Sequence, residues 1–263
     1  EIVLGSIDDH NSIRNTIQGC DAIIYNIGII REFLYQGISY NELHYEGVKS
    51  CVEAATTMGV KRFILMSANG VKESGTDYQA TKWKGEEVLK GSSLDWTIFR
   101  PSLIFGDPQS STRPEFCTEI KNKMLSLPIP APLFYSGLLP LNAGSFCMSP
   151  IHVVNVAEFF VSSIEKKKCF NKQYNLGGLE SYTWKNIIHK IAVSSNKSTW
   201  KIPAPIFVIN LLASILGRFD WFPITSDQIT MLMEGNIVDE YYFDEFGIDA
   251  ISFDSNNLSY LKK

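Results

Sequence analysis

Over the first 125 residues, short runs of β-branched and apolar residues alternate with longer stretches whose apolar positions recur every three to four residues. That rhythm belongs to βαβ units, in which strands covered by helices on both faces read as continuous apolar runs. EIVLG (1–5) reads as a strand, SIRNTIQG (12–19) as a short helix and DAIIYNIG (21–28) as a buried parallel strand. A long helix is predicted over 40–58, with Leu43, Val48, Val52 and Ala55 on one face. Gly59 stands where a left-handed cap favours glycine. KRFILMS (61–67) is the next strand, a helix carrying Tyr78 and Lys82 follows, and DWTIFRP (95–101) is a strand closed by proline.

Beyond Leu125 the pattern becomes PIPAPLFYSGLLP, which predicts an irregular, proline-rich segment and a domain-like boundary. SPIHVVNVAEFFVSSIE (149–165) reads as a helix returning to the main body, QYNLGG (173–178) as a strand and turn, and the chain from Thr183 as mainly helical. The organisation expected is a Rossmann-like core over 1–125 and a mixed region over 126–263. Part of that region, 149–178, rejoins the core, and the remainder forms a smaller lobe for substrate or partner. The fold class is α/β, a doubly wound parallel sheet with a mainly helical C-terminal lobe.

Composition narrows the function classes. Hydrophobic residues make up 45% of 263, enough for a large core. Twenty-four basic against 28 acidic residues leave a net charge of −4, which argues against nucleic acid as a partner. Cys20, Cys51, Cys117, Cys147 and Cys169 show no C-x-x-C spacing and the four histidines no H-E-x-x-H. This reads as reduced, mostly buried thiols with no metal site, in a reducing compartment such as the cytoplasm. The most apolar run, IFVINLLASILG (206–217), is too short to span a bilayer, which takes ~20 residues. It reads as a core or lobe helix, or as a docking surface at a membrane or partner.

Candidate chemistry sits in three segments, YEGVKSCVEAATTMGVKRFILMS (45–67), YQATKWKGEEVL (78–89) and WTIFRPSLIFGDP (96–108). Tyr78 and Lys82, four apart, share one helical face. A nearby ammonium favours the phenolate, so such a tyrosine can exchange a proton with a carbonyl/alcohol pair. Together the three segments resemble the short-chain dehydrogenase superfamily, in its extended and atypical, epimerase-like branch. The C-terminal segments KIPAPIFVINLLASIL (201–216) and FPITSDQITMLMEGNIVDEYYFDEFGI (222–248) look like bacterial relatives of the dehydrogenase-like accessory alpha-subcomplex subunit of respiratory complex I.

The resemblance implies NAD(P)(H) as cofactor. Tyr78 and Lys82 become the catalytic pair, with Lys82 also holding the nicotinamide ribose. Ser67 takes the first place after the strand, and Asn69 stands where the family's carbonyl-polarising serine or threonine belongs. Later cofactor contacts fall on Ser6 and Ile7 near the adenine, on Ile27 and Gly28, and on Pro101, Ser102 and Leu103 beside the nicotinamide. No G-x-x-G-x-x-G turn for the pyrophosphate occurs in the sequence. EIVLG then matches the superfamily's third strand, and the chain, which starts at Glu1, is expected to be the remainder of a longer protein lacking roughly fifty residues. Tight cofactor binding is expected only with that segment.

Two functions follow from the resemblance. One is an accessory or assembly component of a respiratory complex that holds its dinucleotide structurally, peripheral at the inner face of a membrane. The other is an active reductase, dehydrogenase or epimerase. The segment from Pro128 to Leu141, with Ile129, Leu133, Phe134, Tyr135, Leu138, Leu139 and Leu141, predicts a lipid- or quinone-like ligand.

Overall fold

Three parallel strands carry the framework: β1 (Ala22–Tyr25), β2 (Arg62–Met66) and β3 (Asp95–Pro101). A fourth strand, Lys172–Leu176, closes the sheet beside β3. Between them run helices α1 (His10–Ile17), α2 (Gly47–Met58) and α3 (Asp77–Lys90). The computed structural model describes residues 1–110, 113, 115–126, 130–216 and 225–262. Pro128, Ile129, Gly217 and the start of the segment at 222–224 lie outside them.

Period-two alternation decides which face each strand residue covers. Phe63, Leu65 and Ile98 enter a core with Ile13, Ile17, Val48, Val52, Ala55 and Leu89, which come from α1, α2 and α3. Phe99, one residue on from Ile98, packs instead against Phe159, Phe160 and Tyr174. Helices thus cover both faces, the arrangement a parallel sheet requires. α2 ends at Gly59, whose φ of +77° is the left-handed cap read from the sequence.

The described chain divides into two compact units, Glu1–Pro101 with Glu158–Asn175, and Ser102–Ala157 with Leu176–Lys263. The division therefore falls at Pro101, where the sequence pattern places a boundary near Leu125, and the returning piece is 158–175 rather than 149–178. In the second unit the core gathers Phe105, Phe134, Trp184, Ile187, Ile188, Ile191 and Phe253. Trp184 stacks on Phe134 and Phe146 and donates its indole N–H to the Pro132 carbonyl at 2.9 Å.

Three expectations change. EIVLG forms no strand: residues 1–6 have no ladder partner among the described residues, and Ile2 and Leu4 are 87% and 90% exposed. Strand propensity is weak without a partner, because a strand's hydrogen bonds are all nonlocal. DAIIYNIG contributes only the four residues of β1, which among the described residues stands at the sheet's edge beside β2, with Ile24 41% exposed. The proline-rich segment is not wholly irregular, since Ala131–Tyr135 pairs in parallel with Lys201–Pro205. Proline's fixed φ suits extended backbone, and a two-stranded ladder leaves each strand a free edge where the missing N–H costs nothing.

Candidate active site

The site is built on the carboxyl end of β2 and the first turns of α3. Thr76 caps α3: its hydroxyl accepts from the Gln79 N–H, and the Gln79 carboxamide returns the bond to the Thr76 N–H at 2.9 Å. Gln79 also donates to the Gly70 carbonyl at 3.0 Å, tying the loop after β2 to the helix. Tyr78, Lys82 and Glu86 then follow at four-residue steps along one face.

Each of these has a different environment. Lys82 is 8% exposed, and its ammonium donates to the Met66 carbonyl at 3.3 Å and lies 5.7 Å from the centre of the Tyr78 ring. Glu86 is fully buried. Its carboxylate accepts Arg100 Nε at 2.8 Å and Nη2 at 2.6 Å, and the Ser67 hydroxyl at 2.5 Å. Burial lowers the Lys82 pKa to about 8, with the Glu86 charge working against the shift. Burial also pushes the Tyr78 phenol well above its ordinary range. The helical spacing of Tyr78 and Lys82 predicts the reverse, a phenol made acidic by its lysine. Here the cost of desolvating a phenolate outweighs the neighbouring charge.

A second layer comes from the π-helical turn Asn41–Glu46, which precedes α2. His44 is 2% exposed, and its Nδ1 lies 3.2 Å from Thr81 Oγ. The Thr81 hydroxyl already donates to the Asp77 carbonyl at 2.7 Å, so it accepts from Nδ1–H. Nε2 is therefore the unprotonated nitrogen and accepts the Ile29 N–H at 3.2 Å. Acceptance at Nε2 requires the neutral ring, and burial, followed by the Lys82 charge, lowers its pKa to about 3. Tyr40 stacks on His44 at 5.3 Å, and Tyr78 sets its ring edge-to-face against both, at 5.2 Å from His44 and 5.7 Å from Tyr40.

Two glycines let these pieces approach. A Cβ at Gly85 would fall 2.2 Å from the His44 carbonyl oxygen, so α3 crosses the π-helical turn where it has no side chain. A Cβ at Gly28 would come within 3.4 Å of Lys82 Nζ and 3.5 Å of His44 Nε2, so bare backbone borders the ammonium. A cavity of about 10 Å3, the size of one water, opens among Tyr25, Ile27, His44, Ser67 and Lys82.

The structure brings Tyr78, Lys82, Ser67, Ile27 and Gly28 together in the first unit. Asn69 is half-buried, and its N–H donates to the Pro101 carbonyl at 3.0 Å, fixing the ends of β2 and β3 together. Ser6 is exposed at the approach to α1, with its carbonyl accepting the Asp9 N–H, while Ile7 packs on the first unit's core. Ser102 and Leu103 belong to the second unit. Ser102 is buried and donates its hydroxyl to the Asn236 carbonyl at 2.8 Å, and the Leu103 carbonyl accepts the Ile151 N–H at 2.9 Å. Sequence reasoning missed His44, Tyr40, Glu86 and Arg100. The run Lys82, Glu86, Lys90 at helical spacing and the Tyr40–His44 step of four were the available signals.

Residues 1–123 match the sequence family described as NAD(P)H-binding. In keeping with that match, the parallel sheet and its flanking helices are similar to the α/β fold of NAD-binding, epimerase-like short-chain dehydrogenases. Among the chain's relatives is the mitochondrial NADH-ubiquinone oxidoreductase 40 kDa subunit of Neurospora crassa, 24% identical over the whole of this chain and 66% of the fungal protein. UDP-glucose 4-epimerase of Vibrio cholerae is 24% identical over 69% of this chain and 58% of its own length. The chain thus spans two thirds or less of these two relatives. The Thermus thermophilus UDP-glucose 4-epimerase, solved in complex with NAD, superposes with a TM-score of 0.70 at 15% identity, covering 98% of this chain and 82% of that one.

Proposed function

We propose that this chain is an accessory component of a respiratory NADH dehydrogenase complex, peripheral at a membrane, that holds a nicotinamide dinucleotide as a structural element. The observation that carries this reading is the commitment of the Ser67 hydroxyl to the fully buried Glu86 at 2.5 Å. A hydroxyl engaged with a buried carboxylate does not polarise a carbonyl, and Asn69 stands where the family's serine or threonine belongs.

The residues at hand suit the sugar end of a dinucleotide. Lys82 carries three N–H donors and uses one long bond, and Gly28 leaves backbone open beside it. In this reading Lys82 holds the nicotinamide ribose, Ile27 and Gly28 line its path, and Pro101, Ser102 and Leu103 take the nicotinamide end, with Ser6 and Ile7 near the adenine. The glycine-rich turn that receives a pyrophosphate is not in this sequence, so tight binding requires such a turn in addition. Mass spectrometry of the nucleotide retained by the natively purified protein tests the reading, together with its redox state after incubation with quinones and apolar carbonyls. A retained dinucleotide that raises the melting temperature without being oxidised is expected; steady turnover would overturn it.

The high phenol pKa favours one alternative, a reductase acting on a lipid- or quinone-like carbonyl. A phenol that stays protonated at neutral pH can donate to a carbonyl oxygen as the cofactor supplies hydride. In that case Tyr78→Phe abolishes turnover and leaves dinucleotide retention intact.

A further inference from the structure

We infer that the helix Ile206–Leu216, with the chain leading into it, is a docking surface for an anionic lipid bilayer; this rests on the membrane placement proposed above and names the surface that makes it. Phe207, Leu211 and Ile215 lie at four-residue steps, hence on one face, and are 66%, 61% and 53% exposed. The opposite side is apolar too, since Ile209 packs against the second unit's core. A helix apolar on both sides belongs in a core or in lipid. This one has only one side in a core.

The exposed apolar surface continues past the helix. Strand Lys201–Pro205 runs straight into it, preceded by Trp200 at 68% exposure. The turn Pro140–Asn142 packs on that strand and carries Leu141, 90% exposed, close after Leu138 at 97%. Monomeric proteins rarely leave apolar patches of more than a few hundred Å2 open to water.

Charge identifies the occupant. Residues 130–145 contain no charged side chain, and 197–216 contain Lys197 and Lys201 and no acid, in a chain whose net charge is −4. An apolar face preceded in sequence by Lys197 and Lys201, with Lys185 near Lys201, complements anionic headgroups, and near such a surface each lysine adds attraction. A second copy of this chain would bring lysines against lysines across an isologous contact, with no acid from these segments to pair them. The described helix Ile206–Leu216 has 11 residues against the ~20 that crossing a bilayer takes, and the proposed placement lays it in the plane of the interface.

Co-flotation with vesicles of phosphatidylglycerol and phosphatidylcholine, against phosphatidylcholine alone, tests the inference. The chain is expected to float with the anionic vesicles and to be released by salt. Phe207→Glu with Leu211→Glu should weaken this binding at least roughly tenfold, and Lys201→Glu a few-fold while flattening the salt dependence. Circular dichroism verifies the fold of each variant. If the double variant misfolds, quenching of Trp200 fluorescence by brominated lipid, with Trp200→Phe as control, reads the same contact. No flotation of the wild type, or flotation unaffected by the substitutions, overturns the surface. So does a dimer in light scattering that Leu211→Glu dissociates. Dinucleotide retention by the natively purified protein, measured beside its flotation, separates the readings: lipid binding without retained nucleotide sinks the accessory function and leaves the surface, and the converse sinks the surface alone.

Discussion

The two ends of β2 each bury a cation, and they treat it in opposite ways. At the amino end Arg62 is 6% exposed and finds an acceptor for nearly every donor. It donates to the carbonyls of Ile164 at 3.0 Å, Asp95 at 2.7 Å and Ser163 at 2.7 Å, and to Thr97 Oγ at 2.8 Å, with the Phe170 ring 4.6 Å from its guanidinium carbon. Ser163 and Ile164 stand at the carboxyl end of the helix Val153–Ser163, where the backbone dipole favours a cation. At the other end Lys82 has one bond of 3.3 Å among the described residues. A buried charge that the protein fully replaces water around belongs to the fold. One left with unused donors is held ready for something else, and in open α/β sheets ligands enter at the carboxyl ends of the strands.

Breaking the satisfied end should have the largest effect. Arg62→Met removes four bonds and orphans buried carbonyls, so it is expected to cost ~3–5 kcal/mol, read as a fall in the urea midpoint. Arg62→Lys should recover only part of this, because an ammonium cannot reach acceptors arranged for a planar fork.

At the unsatisfied end the sign reverses. The Lys82 pKa is about 8 in the folded chain against 10.5 for the free side chain, so below pH 8 folding carries the cost of burying the charge. Lys82→Met is expected to stabilise the chain by about 3 kcal/mol at pH 7. The unfolded state binds the extra proton between pH 8 and 10.5, so wild-type stability should climb across that window and the advantage of the variant should fade. A variant less stable than wild type at pH 7 would mean that Lys82 is satisfied after all.

His44 sharpens the comparison on the acid side. Its folded pKa of about 3 lies below the free value of 6.5, so its contribution is complete above pH 6.5 and is lost as pH falls toward 3. Between pH 7 and pH 5 this alone should remove about 2 kcal/mol, and His44→Gln should flatten the acid limb of the stability curve.

Which of these features the sequence shows depends on the range of the contacts. β2, β3 and α3 are legible because period-two and period-3.6 patterns are local, and Gly59 is legible because a left-handed cap needs it. Tyr78 and Lys82 are legible for the same reason, four residues apart on one helix. The His44 contact with Ile29 joins residues 15 apart in sequence, that with Thr81 joins residues 37 apart, and Arg62 reaches Ile164 across 102. No local pattern encodes these. EIVLG shows the converse failure, a strand-like composition without a strand, because propensity cannot supply the neighbour that a ladder needs. The pairing of Ala131–Tyr135 with Lys201–Pro205 is likewise a contact between distant segments, and prolines obscure it.

The smallest predicted effect tests the reading of the site most directly. Ser67 stands at the first place after β2, two residues before the position of the family's carbonyl-polarising hydroxyl, and the geometry gives its own hydroxyl to Glu86. In Ser67→Ala the carboxylate keeps both Arg100 bonds, so it stays paired, and the loss is that of one hydrogen bond to a charged group. The expected cost is about 1.5 kcal/mol, visible as a small fall in melting temperature. If Ser67 only braces the end of α3, the variant should retain its dinucleotide in the same stoichiometry as wild type, and the pH dependence of stability set by Lys82 should keep its midpoints. A catalytic serine would behave differently: stability would barely change, while any carbonyl reduction assayed with added dinucleotide would fall in kcat with KM unmoved. That second pattern would show that the Ser67 to Glu86 bond opens when substrate arrives, and would favour an enzyme over the proposed structural holder of a dinucleotide.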